Sequence, residues 1–167
     1  MNVVIGDATQ PLAAVLVISD GANPPFDVQP GAMVPLEAPP QGGEVIYVSA
    51  RVRNVESCNV SFAARLSDPM SGDELGFDKR DADLELGSDG WGHAKMPLTS
   101  YFANVSPCPD NQSFAIVGHP STLSVTVTDA RGQTTTVSQP VVPACTQPDA
   151  EAQAHCQCLC SPPSGCT

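Results

Sequence analysis

The cysteines are the residues of this chain best suited to chemistry, and most of them lie near its C-terminal end. Two of the seven, Cys58 and Cys108, lie far apart in the first two thirds of the sequence. The C-terminal segment holds the other five: Cys145, Cys156, Cys158, Cys160 and Cys166. Cysteines at this density indicate either disulfide bridges made in an oxidising compartment or thiolates that bind a metal ion.

We predict that the cysteines form disulfide bridges, and we favour a bridge between Cys58 and Cys108. Cys58 precedes a predicted core-facing strand, and Cys108 lies between two prolines. A bridge between them would close a loop of about 50 residues, which corresponds to roughly 4 kcal/mol in the chain-entropy account. The five C-terminal cysteines then allow two bridges and leave one thiol, which can bond to another chain or to a partner. All seven cysteines are therefore disulfide candidates.

A bound soft metal ion is the alternative use of the C-terminal thiols. Cys156, Cys158 and Cys160 alternate with single residues, and His155 precedes them. Zinc sites normally separate paired ligands by two to four residues, so this run is closer to copper- or cadmium-type thiolate clusters. One such run is a weaker signal than the overall cysteine content. We therefore predict disulfides, and His155 as a solvated residue.

Carboxylates form the second candidate site. In the segment 81–86, Asp81, Asp83 and Glu85 alternate with apolar residues, which places the three carboxylates on one face of a strand. Oxygen ligands of this kind suit calcium, so this face is a weak calcium candidate. A hairpin through residues 87–92 would instead bring His93 and Lys95 opposite these carboxylates. Ordinary charge pairing on a solvated face is the preferred prediction.

Charge and motifs exclude several functional classes. The formal net charge is −11, which repels phosphate backbones and anionic membrane surfaces, so neither nucleic-acid binding nor direct membrane insertion is predicted. No stretch is apolar over the roughly 18 residues that span a bilayer. Nucleophile-elbow, zinc-protease and phosphate-loop motifs are absent from the sequence. The sequence therefore predicts a protein that is not an enzyme and has no cofactor beyond the weak calcium candidate.

Alternating apolar and polar residues predict that strands position these groups. The apolar face of the segment 45–53 consists of Ile46, Val48, Ala50 and Val52, and similar alternation recurs in residues 58–66 and 123–127. Residues 12–18 form a short apolar run typical of a buried strand. Clusters of Gly, Pro, Asp and Asn separate the strands at intervals of about 8–12 residues. Each strand is expected to bury one face only, as in a β-sandwich.

The last predicted hairpin is the most specific fold signal. Two β-branched runs, 123–128 and 134–137, flank a turn in which Asp129 can accept hydrogen bonds from backbone amides and Gly132 can adopt a left-handed conformation. This pattern resembles the closing hairpin of bacterial immunoglobulin-like modules of the PKD and hyaline-repeat kinds. The whole chain also loosely resembles surface lipoproteins of soil bacteria. These resemblances imply an immunoglobulin-like sandwich in a secreted or surface protein, and no chemistry.

Two regions follow from the composition. We predict an all-β, immunoglobulin-like antiparallel sandwich over residues 9–140 and an irregular, disulfide-stapled cysteine-rich tail over 141–167. The tail holds too little apolar bulk to fold by burial alone.

The expected function is a non-catalytic structural, adhesive or binding module, extracellular or on the cell surface, with a protein partner or self-assembly. A subunit of a surface filament and a thiolate metal-binding protein are the alternatives. The sequence shows no signal peptide, so we expect Met1 to be an added start on a mature secreted chain; an intracellular protein is the other interpretation.

Overall fold

Thirteen strands and two short helices make up the described part of the chain, which is residues 3–109, 114–161 and 166 of the computed structural model. In chain order they are β1 (Val4–Ile5), β2 (Ala13–Ser19), β3 (Phe26–Asp27), β4 (Ala32–Leu36), β5 (Glu44–Arg53), β6 (Val55–Glu56), β7 (Val60–Ser67), β8 (Glu74–Ala82), β9 (Leu84–Leu86), β10 (Gly92–Ala94), α1 (Leu98–Tyr101), β11 (Ala103–Cys108), β12 (Ser121–Thr128), β13 (Thr134–Cys145) and α2 (Ala150–Leu159). The predicted all-β sandwich is confirmed.

Two large sheets form the sandwich. The first sheet has the order β3-β2-β5-β10-β9, and β11 pairs with residues 44–48 of β5. The second sheet has the order β4-β13-β12-β7-β8, antiparallel except for the parallel pair of β4 and β13. A separate ribbon pairs β1, near the N-terminus, with β6, the short strand that follows β5. The chain crosses from the second sheet to the first between β8 and β9.

Apolar side chains from the inner faces of both sheets form the core. The predicted inward residues of β5 are all buried, as are those of β7 and β12: Val60, Phe62, Ala64, Leu66, Leu123, Val125 and Val127. Burial of alternate residues in β7 and β12 follows the predicted period of two. The inward assignments are therefore confirmed for these residues, whereas Cys58, also predicted to face inward, precedes β7 and is only half-buried.

The outer face of β5 departs from the expectation of one buried face per strand. Alternation predicts that Tyr47 and Ser49 face solvent, yet both are buried. A second, smaller apolar cluster explains the burial of Tyr47, because Leu98 and Phe102 at the two ends of α1 pack over it. The one-face prediction is wrong for the first half of β5, since a segment much later in the sequence covers it.

The closing hairpin forms as predicted. Thr128 of β12 lies opposite Thr134 of β13, and the Asp129 carboxylate accepts hydrogen bonds from the backbone amides of Arg131 and Gln133, both at 2.9 Å. Gly132 has φ of +78°. Arg131 adds contacts that the sequence did not reveal. Its guanidinium bonds the buried Asp129 carboxylate and donates to two backbone carbonyls, those of Ala8 and Asn54.

The predicted boundary between sandwich and tail, at residues 140 and 141, lies inside β13. The strand runs without a break to Cys145, and its last five residues pair in parallel with β4. After Cys145 the chain forms α2, a helix that the sequence did not predict. Asp149 begins it, because its side chain accepts a hydrogen bond from the Ala152 amide at 2.8 Å. The cysteine-rich region therefore contains regular structure.

Candidate functional site

Three disulfide bridges fasten the C-terminal region. They join Cys108 to Cys160, Cys145 to Cys156, and Cys158 to Cys166, and leave Cys58 as the free cysteine of the described residues. The predicted Cys58–Cys108 bridge is therefore wrong. Cys108 ends β11 fully buried and meets α2, whereas Cys58 lies partly exposed in the turn before β7. The unpaired thiol thus belongs to the sandwich and not to the tail.

Two of the bridges meet at one buried point. The Sγ atoms of Cys145, Cys156 and Cys160 all lie within 4.8 Å of one another, and the three residues are buried. Cys156 and Cys160 are four residues apart on or just after α2, which puts both on the helix face that packs against the sandwich. Cys158 lies between them and is only half-buried. The run of three cysteines is therefore divided between two faces.

Polar contacts hold the tail beside this cluster independently of the sulfur atoms. The Ile116 amide donates to the Cys160 carbonyl at 2.9 Å, and the Gln153 side-chain amide donates to the Cys145 carbonyl at 2.8 Å. Gln147 accounts for two further contacts. Its backbone amide donates to Gln153 Oε1, and its Nε2 donates to the Leu36 carbonyl at 2.7 Å. These bonds fix both ends of the connection between β13 and α2.

Two glutamates at the corner between β4 and β5 lie near the same region. Burial raises the pKa of Glu44, and the charge of His155 opposes that shift. Gln147 Nε2 donates to the Glu44 carboxylate at 3.3 Å. Burial also raises the pKa of Glu37 to about 7, and the negative charges of Asp20 and Glu44 add to the effect. This corner therefore binds protons more readily than ordinary surface carboxylates do.

The calcium candidates are not brought together. Asp81 lies on β8 and Glu85 on β9, so the crossing between sheets separates them, and Asp83 accepts a hydrogen bond from the Asn59 amide at 3.2 Å. Within the described ranges, the cysteine cluster is the group of three or more potential ligands whose donor atoms converge. The three acidic side chains are thus exposed as separate charges.

The predicted charge pairing in this hairpin is partly right. His93 lies directly opposite Glu85, as expected. Its ring nitrogen, however, contacts the Asp89 carboxylate at 3.0 Å, and hydrogen bonding from His93 lowers the pKa of Asp89. The pairing therefore forms within the turn and not across the strands.

The sequence did not predict a cluster of arginine and tryptophan side chains on the first sheet. Trp91 lies under two guanidinium groups, that of Arg51 at 4.9 Å and that of Arg53 at 5.5 Å from the ring centre. Arg51 also makes a two-bond ion pair with Asp27, at 2.9 and 2.6 Å. Alternation places both arginines on the outer face of β5, but no local pattern joins them to a tryptophan in a distant hairpin. The cluster stabilises the end of the β9–β10 hairpin against β5.

Comparisons with known proteins identify no relative. No family model, no curated protein and no solved structure matches the chain. Among the described residues, no helix is long and apolar enough to cross a membrane. The functional argument therefore rests on the residues and their geometry.

Proposed function

We propose that this chain is a non-catalytic structural, adhesive or binding module that works outside the cell or on its surface. The observation that carries this proposal is the pairing of six of the seven cysteines into three bridges. Disulfides persist in oxidising compartments and are rare in the reducing cytosol.

Two further features support this proposal. The net charge of −11 disfavours nucleic acid and anionic lipid as partners, and the partner proposed here is a protein or a second copy of the chain. The closing hairpin has the Asp129 hydrogen bonds expected from its sequence, and its resemblance to bacterial immunoglobulin-like modules implies a secreted or surface protein. Such sandwiches present loops and strand edges to partners.

Intact mass spectrometry of the protein purified from an oxidising compartment tests the proposal. After alkylation without reduction, we expect one label per chain, on Cys58; after reduction, we expect seven. Peptide mapping should identify the three bridges. Seven labels on the unreduced protein would contradict an oxidised, exported module. Cytosolic expression of the same chain provides the matched comparison.

A subunit of a surface assembly is a second candidate, favoured by the state of Cys58. This thiol is unbridged and partly exposed, and its sulfur lies 3.9 Å from the Ser57 hydroxyl. It is therefore available for a bond to another chain. A non-reducing gel of oxidised protein should show a dimer that disappears with Cys58→Ser. A wild-type protein that stays monomeric under oxidation would contradict this candidate.

A further inference from the structure

Four cysteines from three separate elements converge on the buried cluster. Cys108 ends β11, Cys145 ends β13, and Cys156 and Cys160 lie at the end of α2. All four residues are buried, between 0% and 8% exposed. Thiolates in this number, shielded from solvent, form the ligand set of structural zinc sites.

We propose that Cys108, Cys145, Cys156 and Cys160 form a four-thiolate Zn²⁺ site when their two disulfide bridges are reduced. The proposal goes beyond the module's function and concerns a different redox state of the same chain. It also replaces the ligand set that the sequence suggested. Cys158 is bonded to Cys166, away from the cluster, and His155 is exposed.

The distances suit a tetrahedral ion. Zinc–sulfur bonds of about 2.3 Å place neighbouring sulfurs about 3.8 Å apart in a tetrahedron. Three sulfurs, those of Cys145, Cys156 and Cys160, already lie within 4.8 Å of one another. Cys108 is bonded to Cys160 and so adjoins the group as the fourth ligand. Rotation of the Cys108 side chain, whose sulfur is bonded to one member of this group, would complete the geometry.

The scaffold does not depend on the bridges alone. The Ile116 amide bonds the Cys160 carbonyl, and Gln153 bonds the Cys145 carbonyl. The parallel pairing of β13 with β4 fixes Cys145 opposite Leu36. These contacts keep the ligands together after the sulfur–sulfur bonds open. A metal ion would then restore the lost cross-links between α2, β11 and β13.

The chemistry balances with an external dithiol or phosphine as the reductant. Two disulfides accept four electrons and four protons and become four thiols, while the reductant is oxidised. Zinc then displaces the four thiol protons as it binds four thiolates, which makes the affinity dependent on pH. The same sulfur atoms cannot form disulfide bonds and bind zinc at once, so oxidation would release the ion.

Cobalt titration of the reduced full-length chain tests the site. The protein is reduced with a phosphine under argon, desalted and titrated with Co²⁺, which reports tetrahedral thiolate ligation by its visible and near-ultraviolet absorption. We expect one ion per chain, displaced by Zn²⁺. Cys156→Ser should weaken binding by about 100-fold or more, since even residues outside the ligand shell change affinity by about 10–100-fold.

Cys158→Ser is the matched control, because it lies two residues away on the same helix and faces out of the cluster. It should bind as the wild type does. Equal losses in the two variants would place the ion on the exposed cysteine run and overturn the proposal. So would the absence of a one-to-one tetrahedral complex in the wild type.

Alkylation gives a second readout that remains valid if reduction loosens the tail. Zn²⁺ should protect four cysteines of the reduced chain, leaving Cys58, Cys158 and Cys166 to react. Equal labelling of all seven with and without Zn²⁺ would overturn the proposal. Failure of this experiment leaves the bridge count of the oxidised protein unaffected, so the two proposals are tested separately.

Discussion

Removal of the Cys108–Cys160 bridge should destabilise the fold more than removal of either other bridge. Its cysteines are 52 residues apart, compared with 11 for Cys145–Cys156 and 8 for Cys158–Cys166. In the chain-entropy account, these separations correspond to about 4, 3 and 2.5 kcal/mol of lost unfolding free energy. Cys108 and Cys160 are also fully buried, so their replacement by alanine removes core packing as well.

Urea unfolding of paired variants measures the difference. The test variant is Cys108→Ala with Cys160→Ala, and the control is Cys158→Ala with Cys166→Ala. Circular dichroism follows the strands, and the fluorescence of Trp91, the one tryptophan, follows the first sheet. The free energy of unfolding should fall by about 1.5 kcal/mol more in the test variant than in the control from loop closure alone. The loss of buried side-chain contacts at Cys108 and Cys160 adds to this difference.

Two results would refute this reasoning. Equal losses would mean that loop length does not determine the effect of the bridges. A larger loss in the control would mean that the C-terminal end of the tail, and not its attachment to β11, limits stability. The total free energy of unfolding of a typical domain is only about 5–15 kcal/mol, so the test variant can be partly unfolded in water. In that case thermal unfolding still shows which of the two variants is less stable.

Three further predictions concern the sandwich. Arg131→Ala should lower the unfolding free energy by about 2–3 kcal/mol in urea titrations, because it leaves the buried Asp129 carboxylate without its cation. Arg131→Lys keeps the positive charge and should therefore lower the unfolding free energy less. Equal losses in the two variants would contradict a charge effect. Phe62→Ala should lose about 3–5 kcal/mol in the same assay, whereas Phe77→Ala, on the exposed face of β8, should lose far less. The pKa of Glu37 is raised to about 7 in the folded protein, compared with its ordinary value of 4.5 in the unfolded chain. Because the folded state binds this proton more tightly, the free energy of unfolding should fall as the pH rises from 4.5 to 7. Thermal unfolding across pH 4–8 checks this, and an unchanged slope in Glu37→Gln would exclude Glu37 as the cause.

The alternation of apolar and polar residues was sufficient to predict which side chains are buried in strands that have only one covered face. Val125 and Phe62 could be assigned to the core because their neighbours in sequence are polar or small and lie on the opposite face. The roles of Asp129 and Gly132 in the turn after β12 could be predicted, since both residues act on their own local backbone. These are cases in which the determining interactions lie within a short stretch of sequence.

Long-range contacts account for what the sequence could not provide. Tyr47 is buried because α1, from a distant part of the sequence, packs over it. The partner of Cys108 depends on where α2 lies, which no cysteine spacing encodes. The helix itself begins at Asp149, a residue type that often starts helices, but its exposed and buried residues form no clear apolar stripe. The cysteine cluster could therefore be seen only once the fold was known.

The position of β13 has a consequence for how the chain is made. This strand lies between β4 and β12 in the second sheet, yet it is the last strand in chain order among the described residues. Until Cys145 has left the ribosome or an export channel, β4 lacks its partner strand and the edge of β12 stays open. Such unpaired edges associate with other chains. During synthesis these two edges therefore stay exposed until β13 has been made, and the second sheet closes only then.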